Sequence, residues 1–214
     1  MTRPTLIIFA RAPAIGVGKT RLARDVGRVE AWRLYRAFSA RLLRSLRDPR
    51  WRIVVRTAPD RARWPAGVRR EPQGRGGLGE RLERALKAHA QGPVAVIGTD
   101  TPDISPERIG RAFRNLQRSG AVLGPAEDGG FWLMALSATR ARRIQLDGVR
   151  WSSPHALSDT VAALGGREPI YLEALIDIDD AAALAVWRGR SRRRFTVAAP
   201  DATASSVRES DPNI

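Results

Sequence analysis

The chain has 214 residues, enough to bury one substantial core, so a second full domain is not expected. Hydrophobic residues make up 43% of the sequence and charged residues 28%, which indicates a folded globular protein rather than a disordered one. The net charge of +15 favours anionic partners, while the absence of cysteine excludes disulfides, thiolate metal ligands and a thiol nucleophile.

Apolar runs bounded by glycine, proline or aspartate alternate with segments that repeat apolar residues at helical spacing. Strands are predicted at residues 5–10, 51–56, 93–98, 121–124, 131–136 and 168–172. Helices are predicted around residues 34–46, 78–86, 109–116 and 181–187. This order predicts an α/β fold whose mostly parallel sheet is covered by helices on both faces, with ligand sites at the carboxyl ends of the strands.

The first predicted strand is the longest apolar run near the start of the chain, and Arg11 ends it. The run is too short for the apolar region of a signal peptide or for a membrane span. We therefore expect a cytoplasmic protein that does not insert into a membrane.

The loop that follows this strand is rich in glycine and basic residues and leads into a helix. Backbone N–H groups and the positive end of a helix dipole favour phosphate at such a place, and basic side chains add charged donors. The candidate nucleotide-binding residues of this loop are Arg11, Lys19, Thr20 and Arg21. A purely structural glycine turn is the alternative.

The segment Gly18-Lys19-Thr20 also fits the end of a P-loop, and the strand before Asp100 could supply a magnesium-binding aspartate. The P-loop pattern, however, needs a glycine where Pro13 stands, and proline has a fixed φ and no N–H to offer a phosphate. A P-loop kinase is therefore kept only as a minor alternative.

Asp100 comes directly after the predicted strand 93–98, which places it at the carboxyl edge of the sheet. Carboxylate oxygens are hard ligands suited to Mg²⁺ or Mn²⁺ bridging to phosphates, so Asp100 is the main candidate metal ligand. Asp103 is a weaker functional candidate. It could instead belong to the start of the next helix, because Ser105 followed by Pro106 is typical of an N-cap and a first helical residue.

A turn that carries Asp128 followed by two glycines separates the predicted strands 121–124 and 131–136. In a purely structural interpretation, Asp-Gly-Gly is an ordinary sequence for a hairpin turn. In the functional interpretation, Gly129 and Gly130 let substrate approach the backbone. Asp128 then offers a carboxylate, and Trp132 offers a flat surface beside it.

Three carboxylates, Asp177, Asp179 and Asp180, lie between a strand-like segment and the predicted helix 181–187. An aspartate before a helix is often only a cap. The alternative is a second metal-binding position.

A dense arginine cluster at residues 188–194 precedes a polar stretch. The remaining basic excess is almost wholly arginine scattered along the chain, which is typical of solvated surface. We divide the chain into a nucleotide-binding domain at residues 1–189 and an Arg-rich, flexible tail at residues 190–214. A nucleic-acid binder is the minor alternative that the charge alone motivates.

Taken in order, these motifs resemble the bacterial family of radical-SAM/selenodomain-associated, or arsenosugar-biosynthesis-type, glycosyltransferases. That family belongs to the GT-A, or nucleotide-diphospho-sugar transferase, superfamily. The resemblance spans roughly Thr5 to Trp187 and rests on Phe9-Ala10-Arg11-Ala12-Pro13, Lys19-Thr20-Arg21-Leu22-Ala23, Leu78-Gly79-Glu80-Arg81-Leu82, Gly98-Thr99-Asp100-Thr101-Pro102-Asp103, Gly124-Pro125-Ala126-Glu127-Asp128-Gly129-Gly130 and Asp177-Ile178-Asp179. It implies a single Rossmann-like, three-layer domain that carries a nucleotide in its N-terminal half.

The resemblance also implies a divalent metal, Mg²⁺ or Mn²⁺, with Asp100 as one ligand, Asp179 as the second and Asp177 as a further candidate. In related nucleotidyltransferases a glutamine followed by a Leu-Gly pair lies near the base. That arrangement makes Gln73 and Gly79 nucleotide-binding candidates.

Two positions depart from the family's pattern. Gly77 stands where the family has an acidic residue, which leaves the choice of base open. Thr101 stands where cysteine is common, and little effect is expected from that change.

The reaction type stays open because the superfamily contains both glycosyltransferases and nucleotidyltransferases, and fold does not decide function. The loop with Lys19 also resembles the Lys-Ser-Arg-Leu loop of phospholactate guanylyltransferases. Our first expectation is transfer of a sugar from a nucleotide sugar to a small-molecule acceptor, with Asp128 as acceptor-side carboxylate or base. The alternative is NTP-dependent nucleotidyl transfer, which releases pyrophosphate.

Overall fold

The computed structural model describes residues 2–15, 18–60 and 68–197, with side chains described as far as residue 190. The strands are β1 Thr5–Arg11, β2 Arg52–Ala58, β3 Arg69–Pro72, β4 Val94–Ile97, β5 Ala121–Pro125, β6 Phe131–Leu136 and β7 Ile170–Tyr171. The helices are α1 Thr20–Val26, α2 Arg28–Ser45, α3 Leu78–Ala88, α4 Pro106–Ser119, α5 Ala138–Arg143, α6 Ala156–Leu164 and α7 Ala181–Val197.

The strands of the described residues form one sheet in the order β3-β2-β1-β4-β6-β5-β7. Neighbouring strands are parallel except where β6 runs antiparallel to β4 and β5. This confirms the predicted single α/β domain with a mostly parallel sheet. The prediction missed β3, because Arg-Arg-Glu-Pro at the sheet edge lacks the apolar alternation that marks a strand.

The alternation of side chains along β1 builds a core on each face of the sheet. Leu6 and Ile8 pack with apolar residues of α2 and α4 on one face. Ile7 packs with residues of α3 and α5 on the other face. Because side chains point to opposite faces with a period of two, one apolar strand serves both cores.

The carboxyl ends of β1 and β4 meet at one edge of the sheet, where Ile8 pairs with Ile97. The predicted cap of the next helix is confirmed, since the Ser105 side chain accepts from the backbone N–H of Arg108 and Pro106 opens α4. The predicted turn between β5 and β6 is also confirmed, because these strands pair antiparallel on either side of it.

The C-terminal helix is longer than predicted. It continues to Val197, so the predicted boundary at residue 190 falls inside a helix, and the division into domain and flexible tail stays a prediction. Arginine is a good helix former, so the arginine-rich sequence continues the helix without an apolar stripe. The rest of the predicted tail, residues 198–214, lies outside the described residues. Among the described helices, none is long and apolar enough to cross a membrane.

Candidate functional site

Carboxylates from three separate motifs come together at the carboxyl edge of the sheet. Asp100 follows β4, Asp128 lies between β5 and β6, and Asp177 and Asp179 precede α7. The Ile178 N–H donates to the Asp100 carbonyl at 3.0 Å, which joins the first segment to the last. The charges of Asp100 and Asp128 both act on the pKa of Asp177, so the three carboxylates share one electrostatic environment.

Lys19 lies between two of these carboxylates. Its Nζ is 2.8 Å from Asp100 Oδ1 and 2.8 Å from Asp179 Oδ1. The Lys19 side chain is 8% exposed, whereas those of Asp100 and Asp179 are 45% and 47% exposed. Burial lowers the pKa of Lys19, but the attraction of the two carboxylates outweighs it, and the pKa is raised above its ordinary value. Lys19 is therefore a fixed cation in this site.

The ionisation of Asp177 is disfavoured in the folded protein. Its pKa rises from 3.8 to about 6 because of burial, with Asp100 and Asp128 adding repulsion, while a hydrogen bond from Thr101 opposes the rise. The Thr101 hydroxyl donates to Asp177 Oδ1 and is itself buried. The threonine that was expected to matter little thus positions Asp177, a role that the position in the motif did not reveal.

The carboxylates fit a metal whose remaining ligands come from elsewhere. Within the described residues, no group of three or more histidine, aspartate or glutamate side chains is arranged to hold a metal ion on its own. Asp100 and Asp179 nevertheless converge on one cation-sized position, since both contact the same Nζ. Mg²⁺ is commonly held by one or two carboxylates together with substrate phosphates. The pair suits that arrangement.

The predicted phosphate-binding loop leads from β1 to α1 beside this cluster. Arg11 ends β1, and Thr20 and Arg21 open α1 with exposed side chains. Lys19, just before the helix, has φ 52° and ψ 38°, a left-handed conformation that side chains with a Cβ rarely adopt. Gly16 and Val17 of this loop lie outside the described residues.

A buried tyrosine that was not predicted from the sequence joins the loop after β1 to the loop that carries Asp100. The Tyr35 hydroxyl donates to the Arg11 carbonyl at 2.8 Å and accepts from the Thr99 hydroxyl at 3.1 Å. The available signal was its position four residues from Ala31 and from Ser39 on the buried face of α2. Tyr35 thereby fixes the end of β1 against the residue before Asp100.

Gln73 and Gly79 lie in places that already have structural roles. The Gln73 side chain is 6% exposed, and its amide donates to the carbonyls of Ala10 and Arg56 at 3.0 Å each. Gly79 is the second residue of α3, and a Cβ there would lie 2.7 Å from the Leu146 carbonyl oxygen. Contact of these two residues with a nucleotide stays a prediction.

The acceptor-side predictions need two corrections. Trp132 is 1% exposed, and its indole donates to the Glu173 carbonyl at 3.1 Å, so the prediction that it offers a surface to an acceptor is wrong. Gly129 has φ 85°, and a Cβ there would lie 2.7 Å from Pro154 Cα. The close approach at this glycine is therefore made by the protein's own chain rather than by a substrate.

The turn does orient Asp128, because the Gly130 N–H donates to Asp128 Oδ1 at 3.0 Å while the carboxylate stays exposed. An aromatic pair that the sequence analysis missed lies next to this turn. The rings of Phe131 and Trp151 meet edge to face at 6.2 Å, and both are partly exposed. Sequence periodicity gave no signal for Trp151, since it lies in a loop.

The fold is the one found in nucleotide-diphospho-sugar transferases and cytidylyltransferases. A protein from Desulfovibrio desulfuricans G20, described as a candidate nucleotide-diphospho-sugar transferase, matches with a TM-score of 0.79 and 26% identity over 91% of this chain and 90% of its own. The CTP complex of CMP:2-keto-3-deoxy-manno-octonic acid synthetase matches with a TM-score of 0.58 and 12% identity over 90% of this chain and 100% of its own. 2-C-methyl-D-erythritol 4-phosphate cytidylyltransferase from Thermus thermophilus matches with a TM-score of 0.52 and 19% identity over 90% of this chain and 100% of its own.

The similarities to the synthetase and to the cytidylyltransferase show the fold alone, because the sequence identities are 12% and 19%. Residues 42–153 match the family described as "Uncharacterized protein conserved in bacteria (DUF2064)", and the chain belongs to that family. No curated protein matches the sequence. The descriptions of these three solved structures are consistent with an enzyme.

Proposed function

We propose that this chain is a glycosyltransferase that moves a sugar from a nucleotide-diphospho-sugar donor to a small-molecule acceptor, with Mg²⁺ or Mn²⁺. The observation that carries the proposal is the convergence of Asp100, Asp179 and Lys19 at the carboxyl edge of the sheet. Ligands of open α/β sheets bind at this edge. The similarity to the Desulfovibrio protein supports the donor class.

The donor side of the proposed site consists of the loop before α1 and the two exposed carboxylates. Lys19 and Arg21, with Arg11 and Thr20 nearby in the chain, donate to the diphosphate. Asp100 and Asp179 hold the metal, with Asp177 as a further candidate. When bound, the metal neutralises charge that accumulates on the diphosphate as it leaves. Gln73 and Gly79 are the candidates for contact with the base.

The acceptor side is Asp128, which the Gly130 N–H orients and which remains exposed. In the proposed step, the acceptor oxygen forms a bond to the sugar's anomeric carbon and gives its proton to Asp128. The bond from that carbon to the diphosphate oxygen breaks, and the nucleoside diphosphate leaves with the electron pair. A positioned base of this kind contributes about 10²–10⁴-fold to the rate.

Nucleotidyl transfer is the second candidate. Two structures with the same fold are a synthetase solved with CTP and a cytidylyltransferase, which supports this candidate at the level of fold. Lys19 and the carboxylates would serve an NTP equally well, so the shared residues do not discriminate. The narrower resemblance to arsenosugar-type glycosyltransferases also stays a prediction.

Two product assays distinguish the reactions. Nucleoside diphosphate release is measured over a panel of nucleotide sugars, and pyrophosphate release over a panel of NTPs, each with and without candidate acceptors and with Mg²⁺ or Mn²⁺. We expect acceptor-dependent release of nucleoside diphosphate. Acceptor-dependent pyrophosphate release, with no diphosphate from any sugar donor, would reject glycosyl transfer in favour of nucleotidyl transfer.

A further inference from the structure

The ammonium group of Lys19 lies where the two carboxylates would hold a metal. Besides Asp100 Oδ1 and Asp179 Oδ1, each at 2.8 Å, the Ile178 carbonyl oxygen lies 2.6 Å from Nζ. An ammonium group has three N–H donors, and three protein oxygens accept them here. Lys19 therefore satisfies its own three hydrogen bonds within the protein and offsets one of the two negative charges of the pair.

The local backbone directs Lys19 to this position. Its left-handed φ of 52° is strained for a residue with a Cβ and persists only where the surroundings fix it. Its side chain is 8% exposed. The chain's other lysine, Lys87, is 40% exposed and pairs with Glu83 one helical turn away. Lys19 is thus a built-in part of the site, whereas Lys87 is an ordinary surface lysine.

A divalent ion and the Lys19 ammonium compete for the same oxygens. The Mg²⁺ ion lies closer to its oxygen ligands than an ammonium does, and two cations on one carboxylate pair repel each other strongly at such separations. A nucleotide's phosphates remove the conflict. Their oxygens accept from Lys19 and also complete the ligands of the metal.

We propose, building on the function proposed above, that Lys19 is the resident cation of the Asp100–Asp179 pair and that divalent metal binds this pair weakly unless a nucleotide polyphosphate binds with it. Metal and nucleotide then bind with positive coupling, and each raises the affinity of the other by the same factor.

The test is a Mn²⁺ titration without nucleotide, followed by the electron paramagnetic resonance signal of free Mn²⁺. Wild-type protein is compared with Lys19→Met, which keeps the length of the side chain without its charge, and with Lys87→Met as the matched control. We expect Lys19→Met to bind Mn²⁺ about ten- to a hundredfold more tightly than wild type. Lys87→Met should bind as wild type does. Circular dichroism checks that each variant is folded.

A second measurement needs no variant. In wild type, a saturating nucleoside diphosphate should raise Mn²⁺ affinity at least about tenfold, after correction by a protein-free titration for Mn²⁺ held by the nucleotide alone. Equal Mn²⁺ affinity of wild type and folded Lys19→Met would overturn the proposal.

Calorimetric titration of the nucleotide into metal-free wild type separates the two proposals. Nucleotide binding that leaves Mn²⁺ affinity unchanged overturns the coupling while the proposed function stands. Absence of binding by every nucleotide tested overturns both.

Discussion

Replacing Asp177 with asparagine should make the protein more stable at neutral and alkaline pH. The pKa of Asp177 is about 6 in the folded protein against an ordinary value of 3.8, chiefly because of burial and secondly because of repulsion by Asp100 and Asp128. Asparagine keeps the oxygen that accepts from Thr101 and removes the charge. The variant therefore relieves an electrostatic cost of folding.

The magnitude follows from linkage between protonation and folding. Each tenfold difference in acidity corresponds to about 1.4 kcal/mol, so the folded and ordinary pKa values set an upper limit of about 3 kcal/mol. Because solvent partly screens the side chain, we expect about 1–2 kcal/mol. Between pH 3.8 and about 6 the folded state binds more protons than the unfolded state, so the unfolding free energy of wild type falls as the pH rises through this window.

The assay is urea unfolding of wild type and Asp177→Asn with a chelator present, repeated from about pH 4 to about pH 8. The stability gain should be small at the acid end and complete above the window. Asp180→Asn is the matched control. Asp180 Oδ1 accepts from the Ala183 N–H at the start of α7, and asparagine caps a helix equally well. A gain that is absent at pH 8, or that does not depend on pH, would refute the reasoning.

Three further predictions concern the acceptor turn and the C-terminal helix. Gly129→Ala should lower the unfolding free energy by about 1–3 kcal/mol in denaturant titrations, because of its positive φ and the contact with Pro154. Gly148→Ala should be near neutral, since the described residues leave open space there. Asp128→Asn should lower turnover about 10²–10⁴-fold in steady-state assays. Calorimetry should show unchanged affinity for the nucleotide-sugar donor, and a loss of that affinity would place Asp128 on the donor side. Truncation after Gly189 should leave nucleotide binding in thermal-shift assays unaltered, because the removed Arg190 makes only an exposed ion pair with Glu127. Sequence-selective nucleic-acid binding that disappears with the truncation would contradict this expectation.

The sheet was predictable because its central strands are apolar runs, as in β1 and β4, whose burial leaves a clear pattern. The edge strand β3 and the end of α7 lack that pattern, since both are rich in arginine. Trp132 was assigned to the wrong surroundings because its residue type suits either a core or a binding surface. In the structure it packs in the core, and its indole N–H donates to the carbonyl of a residue distant in the chain, Glu173.

The carboxylates of the site were predictable because each follows or precedes a recognisable element. Their mutual arrangement was not, because it depends on tertiary contacts such as that between Lys19 and Asp179, which are 160 positions apart in the chain. The role of Thr101 and that of Tyr35 were not predicted for the same reason, since their hydroxyls act through partners from other segments.

The central claim is that Asp100 is part of a metal-dependent nucleotide site. Calorimetric titration of nucleoside diphosphates and nucleotide sugars, each with Mg²⁺, into wild type, Asp100→Asn and Asp48→Asn tests it most directly. Asp48 is the control because it pairs with Arg50 just before β2, at the opposite edge of the sheet. We predict metal-dependent binding by wild type and Asp48→Asn that is lost in Asp100→Asn, with unchanged circular dichroism, because asparagine preserves the shape but not the charge that the metal needs. Equal Mg²⁺-nucleotide affinity in Asp100→Asn and wild type would contradict the account.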